Sequence, residues 1–376
     1  MVSRINREIA ERLLNEIRIH DINPGGKMVA LLGSKGSGKS HFLTRLAHQM
    51  VFLHPAKQVL QRETVIWRGR SLDYWTWMYE PNFEWEGPEF RRKVYVHFFT
   101  DDTPQFINEI GDPIQFPPDA LRPYRTVVDL HTNLVLGEIN VVYEPTKYQM
   151  SRAMHDLLLA RSCSKPRALD DLEFDPALWW VEFLFYLLQF KKAGFLSVFI
   201  DEADEVFPAN PSGIRWHLQG LFCDAAKDFR KANISFIFSM HDTTDLDYRL
   251  RSKTQYYGYM RGARPKNGSM IPRTTLIMLP IGDVILERDG YGTTNLGKLT
   301  ERPRVRALFL TGSGNKSAWE ELASDYDDED ASDYDDEDAP ETLTCPRCGH
   351  IWVPRTLTPS RCPNCNAFLE YVMDEG

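Results

Sequence analysis

Residues 33–40, GSKGSGKS, place Gly33, Gly38, Lys39 and Ser40 at the spacing G-x-x-x-x-G-K-[ST]. Glycines at that spacing let backbone N–H groups turn inward on phosphate oxygens. Lys39 can then neutralise the β and γ oxygens, and the Ser40 hydroxyl can ligate magnesium. The whole run Gly33, Ser34, Lys35, Gly36, Ser37, Gly38, Lys39 and Ser40 is therefore the expected ATP-binding loop. A second set of groups follows in VFIDEAD, where Asp201 is expected to hold magnesium and Glu202 to polarise the attacking water. Asp204 and Glu205 read as a solvated continuation. His241 closes the apolar run ISFIFSM, where an imidazole can sense a γ-phosphate or position water, or serve only structurally. Near the C-terminus, Cys345, Cys348, Cys362 and Cys365 form C-x2-C, thirteen residues, then C-x2-C. Four thiolates from two tight turns close a tetrahedral zinc shell and leave no open catalytic position.

The elements needed to position these groups can be read around them. KMVALL is a short buried strand before the loop, and HFLTRLAHQMVFL continues as a helix, the context a phosphate-binding loop requires. FLSVFI and ISFIFSM are continuous apolar strands separated by a helix over about 212–231. Strands alternating with helices predict a mostly parallel sheet covered on both faces, with the chemistry beyond the strand C-terminal ends. The loop, Asp201 with Glu202, and His241 all fall at such ends. Between about 57 and 150 the chain is aromatic and proline-rich. TVIWRG, KVYVHFF, RTVVDL and EINVVY there read as strands elaborating the core sheet, and the aromatic residues of 67–99 read as core more than as a base-stacking surface. Helices are expected over 147–161 and from Pro176, with Asp175 as cap.

Ile5, Ile9, Leu13 and Ile17 give residues 1–22 an amphipathic helix. No stretch offers the roughly 20 consecutive apolar residues that a membrane span needs, and the chain reads as cytoplasmic. The net charge of −9 is uneven: residues 320–341 carry thirteen acids and no base, and residues 1–319 carry a net +4. The octad SDYDDEDA is repeated in tandem at 324–331 and 332–339 and predicts a disordered linker, either a solvated spacer or a strap that competes with DNA phosphates. Cys163 and Cys223 are isolated, which with the metal-like spacing of the other four favours a reducing compartment. The division is thus 1–22 helix, 23–319 core, 320–341 linker and 342–376 zinc module.

The order of phosphate loop, apolar strand with DE, helix ending in FRKANIS, and strand into SMHD and LDYRLRS resembles the HerA-FtsK superfamily of P-loop ATPases. The resemblance covers roughly 25–55 and 180–262, and the cysteine module resembles a zinc ribbon. It implies an α/β RecA-like core in a homo-oligomeric ring, with ATP at subunit interfaces and an arginine offered in trans. Arg68, Arg230, Arg249 and Arg251 are candidates for that arginine. The family ends the strand before SMHD's aspartate in Gln, where His241 stands here. The implied function is an ATP-driven double-stranded DNA translocase. A nucleotide-controlled switch that assembles with a protein partner through the ribbon is the alternative, and a protein-moving ATPase a third reading. ATP, Mg2+ and Zn2+ are the expected cofactors.

Overall fold

The computed structural model describes residues 25–51, 63–70, 96–102, 119–147, 150–161, 176–190 and 194–288 apart from a few positions, with short pieces at 72–73, 105–108, 292–298, 307–310, 343–344 and 351–352 and three single residues. The N-terminal helix apart from Ile17, which is helical and buried, the acidic linker, Asp175, Cys163 and the four clustered cysteines lie outside the described residues. Residues 1–315 and 316–376 form separate compact units.

The first unit is built on a ten-stranded sheet. In chain order its elements are β1 (Met28–Leu32), α1 (Lys39–Met50), β2 (Thr64–Arg68), β3 (Val96–Thr100), β4 (Leu121–Pro123), α2 (Val127–Asn133), β5 (Ile139–Val142), α3 (Arg152–Arg161), α4 (Pro176–Gln189), β6 (Leu196–Ile200), α5 (Ala203–Val206), α6 (Gly213–Ala232), β7 (Ile234–Met240), α7 (Tyr248–Arg251), β8 (Tyr256–Tyr259), α8 (Arg273–Ile277), β9 (Asp283–Arg288) and β10 (Gly292–Lys298). The spatial order is β10-β9-β8-β1-β7-β6-β2-β5-β3-β4. From β8 to β4 every pairing is parallel. The β8-β9-β10 edge is antiparallel. The fold is thus α/β with a mostly parallel sheet, as expected, and the antiparallel edge is an addition that the apolar runs did not announce.

Parallel strands covered on both faces read as near-continuous apolar runs, and β1, β6 and β7 are buried at every position, with Ser197, Ser235 and Ser239 as their only hydroxyls. Their alternate residues sort into two cores. Met28, Ala30, Leu32, Phe236 and Phe238 face the layer of α2, α3, α4 and α6, while Val29, Leu31 and Ile237 face α1. In the first layer Phe207 stacks on Phe222 at 4.5 Å and Phe229 on Phe236 at 6.0 Å. Each such ring contributes on the order of 1.5–3 kcal/mol by leaving water. The aromatic segment 57–150 does extend the sheet through β2, β3, β4 and β5, with Trp67, Phe98 and Phe99 buried.

RTVVDL is a correction: Val127–Asn133 is a helix, not a strand. The Thr126 hydroxyl accepts from the Asp129 N–H at 3.1 Å, and Asp129 accepts from the Arg125 N–H at 3.0 Å. This local cap outweighs the strand preference of the valine pair, and Val127 and Leu130 become one buried face.

At the foot of β1 the chain approaches α6 closely. The Gly26 N–H, at the root of β1, donates to the Arg230 carbonyl in the last turn of α6 at 3.0 Å. A Cβ on Gly26 would lie 1.7 Å from the Ile234 carbonyl oxygen, so only glycine fits.

Candidate nucleotide site

The chain leaves β1 at Leu32, turns through Gly33–Gly38 and enters α1 at Lys39. Gly36 and Gly38 take φ of +75° and +93°, which a side chain would strain. The loop is clamped from outside. The Ser34 N–H donates to the Arg261 carbonyl at 3.0 Å and the Gly282 N–H to the Ser37 carbonyl at 3.1 Å. Lys39 is 7% exposed, and its ammonium donates to the Gly33 and Ser34 carbonyls at 2.9 and 3.0 Å. Burial draws its pKa below the ordinary lysine value, with Asp201, Glu202 and Asp204 pulling the other way. A desolvated ammonium, the open space beside Gly36 and the buried, unpartnered Ser37 hydroxyl fit a triphosphate.

Asp201 and Glu202 follow β6, and β7 separates β6 from β1. The register places Leu31 beside Ser239 and Ile200 beside Phe238, so the ends of the three strands meet. Asp201 accepts from the Ser40 hydroxyl at 2.5 Å through Oδ2 and from the Ser239 hydroxyl through Oδ1. Ser239 Oγ in turn accepts the Glu202 N–H at 3.0 Å. His241 Nδ1 lies 3.4 Å from Lys39 Nζ. Lys39, Ser40, Asp201, Glu202 and His241 thus occupy one place. Ser40 and Asp201, a hydroxyl and a carboxylate already in contact, are a donor set that suits magnesium.

Glu202 adopts φ 51° and ψ 60°, a left-handed backbone that disfavours a side chain by roughly 1–2 kcal/mol. Its carboxylate is ion-paired with Arg70 Nη1. Arg70 also meets Glu205 at 3.0 Å, and Arg68 meets Glu205 at 2.7 Å and Glu144 at 2.8 Å. Trp180 donates its indole N–H to Glu144 at 2.8 Å. Burial alone would lower the Arg70 pKa, but Glu202 and Glu205 outweigh it and raise it. Burial works to raise the Glu205 pKa, and Arg68 and Arg70 bring it down.

Glu205 is exposed, as expected of a solvated continuation of the acid pair, but it is also paired with Arg68 and Arg70, and one Asp204 carboxylate oxygen is buried. Of the trans-arginine candidates, Arg68 is paired with Glu144 and Glu205, and Arg249 with Asp247 at 2.6 Å, all in the same chain. Ser239 and Arg70 escaped the sequence reading. ISFIFSM holds two hydroxyls, Ser235 and Ser239, and the position of Ser239 at the C-terminal end of the strand was the available signal. Cys345, Cys348, Cys362 and Cys365 lie outside the described residues, but Leu343–Thr344 pairs antiparallel with Ile351–Trp352, bracketing Cys345 and Cys348. Among the described residues no helix is long and apolar enough to cross a membrane.

No family model matches the chain, and no curated protein does. Among solved structures, the genome packaging NTPase B204 of Sulfolobus turreted icosahedral virus 2, in complex with AMPPCP, is 14% identical with a TM-score of 0.37, over 73% of this chain and 99% of that one. VirB4 of Thermoanaerobacter pseudethanolicus is 12% identical with a TM-score of 0.38, over 74% and 90%. At these values the likeness bears on neither activity nor substrate.

Proposed function

We propose that this chain is a P-loop ATPase whose hydrolysis drives the movement of double-stranded DNA. The observation that carries the ATPase reading is the hydrogen-bonded series from Ser40 through Asp201 and Ser239 to Glu202, set beside Lys39. Lys39 binds and neutralises the terminal phosphates, and loop N–H groups of Gly33–Ser40 orient them. Magnesium, when bound by Ser40 and Asp201, supplies charge neutralisation at the phosphates. Glu202 accepts a hydrogen bond from the attacking water and holds it on line. His241, beside Lys39, is placed to respond to the γ-phosphate.

The DNA reading is supported by the +4 charge of residues 1–319 and by the HerA-FtsK resemblance of the 229–252 stretch. That resemblance also supports a homo-oligomeric ring. The paired strands around Cys345 and Cys348 support a zinc-holding turn completed by Cys362 and Cys365, a tethered module suited to a protein partner.

The ion pair between Arg70 and Glu202 favours a second reading, a switch whose turnover stays slow until a partner frees the carboxylate. Steady-state ATP hydrolysis with and without duplex DNA, with Glu202→Gln as the blank, separates the two. A many-fold rise with DNA, absent from the blank, is expected of the motor. A slow rate indifferent to DNA would transfer the assignment to the switch.

A further inference from the structure

On the sheet face that carries α6, a cleft of about 300 Å3 opens between the turn after β7, the end of α7 and the turn after β8. Thr243, Thr244, Arg251, Lys266 and Asn267 line it, and no carboxylate does among the described residues. Arg251 Nε is buried without a hydrogen-bond partner. Buried donors of this kind are rare because leaving them unmade is costly, and a shift of the Arg251 guanidinium toward an oxyanion in the cleft would remove the defect. The neighbouring arginines are already engaged, Arg249 with Asp247 and Arg264 with Asp242 at 3.1 Å. Residues 248–282, which supply Tyr248, Arg251, Lys266 and Asn267, contain seven Lys and Arg and no Asp or Glu, whereas the Thr243–Thr244 side is flanked by Asp242, Asp245 and Asp247.

The rim carries aromatic faces. Tyr248 lines the cleft and is 68% exposed. The Arg249 guanidinium carbon lies 6.0 Å from the Tyr248 ring and 5.6 Å from the ring of Trp216, itself 53% exposed. A cationic recess for an oxyanion beside open aromatic and guanidinium planes suits a nucleic-acid backbone, with phosphate inside and the sugar against the rings. A free phosphate would use the recess and leave the rings idle.

We propose that this cleft takes one backbone phosphate of DNA, with Arg251 and Lys266 as its charge partners. The inference rests on the translocase reading and deepens it. Thr243 is two residues beyond His241, whose ring is 3.4 Å from Lys39. Asp242 ties that turn together, accepting from the Thr244 N–H at 3.0 Å while its own N–H donates to Asp245 at 3.0 Å. Cleft and nucleotide site therefore share the 241–244 turn, and DNA in the cleft would be felt at the phosphates.

The test is fluorescence anisotropy of a labelled 30-base-pair duplex over a salt series, with the full chain and the variants Arg251→Ala, Arg251→Lys, Lys266→Ala and Lys227→Ala. Arg251→Ala and Lys266→Ala should each weaken binding about tenfold and reduce the slope of log affinity against log salt by about one. Arg251→Lys should restore part of the loss, and Lys227→Ala, on the exposed side of α6, should match the parent. Thermal shift with inorganic phosphate distinguishes the source of the oxyanion. Stabilisation that depends on Arg251, with duplex binding unchanged in Arg251→Ala and Lys266→Ala, would overturn the DNA assignment. Parent chain that binds duplex, with both alanine variants binding equally well, would sink the cleft and leave the translocase standing. Parent chain that binds ATP but no duplex would remove both.

Discussion

On the Lys39 side of the nucleotide site the backbone does the holding, whereas on the Glu202 side charged side chains hold one another. Lys39 rests on two carbonyls of its own loop, and the loop is fixed by main-chain bonds to Arg261 and Gly282. Glu202 is fixed by Ser239 and Arg70, which arrive from β7 and from the end of β2. One side is held by main chain and the other by side chains, and both need distant segments in place, Arg261 and Gly282 for the loop and β2 and β7 for Glu202. The difference predicts separable consequences for turnover, affinity and stability.

The largest effect should come from the Glu202 side. Glu202→Gln is expected to lower kcat by about 10²–10⁴ while ATP affinity stays within a few-fold, since an amide cannot take the proton. Single-turnover kinetics read both quantities, and retained turnover would remove Glu202 from the chemistry. On the other side, Lys39→Ala should weaken ATP binding about a hundredfold, roughly 2.7 kcal/mol, read by calorimetry in the Glu202→Gln background. Equal affinity with and without Lys39 would end the contrast between the two sides.

Smaller effects sharpen it. Ser239→Ala removes the hydroxyl that accepts from the Glu202 N–H and donates to Asp201, and should lower kcat about tenfold, near 1.4 kcal/mol, with a raised magnesium requirement. A magnesium titration that superimposes on the parent's would make Ser239 a packing residue. Arg70→Ala should shift stability by only about 0.5 kcal/mol, because Glu205 is 42% exposed and solvent screens the pair. Its sign follows from Glu205, whose folded pKa is lowered. The ion pairs stabilise fully above its ordinary value of 4.5 and are lost as pH falls through the lowered one. Urea melts at pH 7 should therefore separate Arg70→Ala from the parent, and melts well below the folded pKa should bring the two together.

The same contrast decides what the sequence could reveal. The loop's roles are written in eight consecutive residues, and β1, β6 and β7 are apolar runs of unmistakable length, so the parallel core and the approach of Asp201 to Ser40 were both readable. Arg70 and Glu202 are far apart in the chain and meet because β2 lies beside β6, a neighbour relation that no local pattern encodes. Glu205 is exposed as its sequence context suggested, but its partners Arg68 and Arg70 are invisible until the sheet closes. The Val127–Val128 pair misled in the opposite way, since a cap supplied by Thr126 and Asp129 settled the helix where side-chain type pointed to a strand.

The contact between Gly26 and the end of α6 has a mechanical meaning. A twenty-residue helix is about 30 Å long, and α6 carries Trp216 near one end while the other is bonded to the root of β1 and runs straight into β7. Its C-terminal end is thereby tied to the bases of two adjacent strands, β1 and β7, whose far tips bear the phosphate loop and His241, so a substitution that displaces this end of α6 should reach both at once.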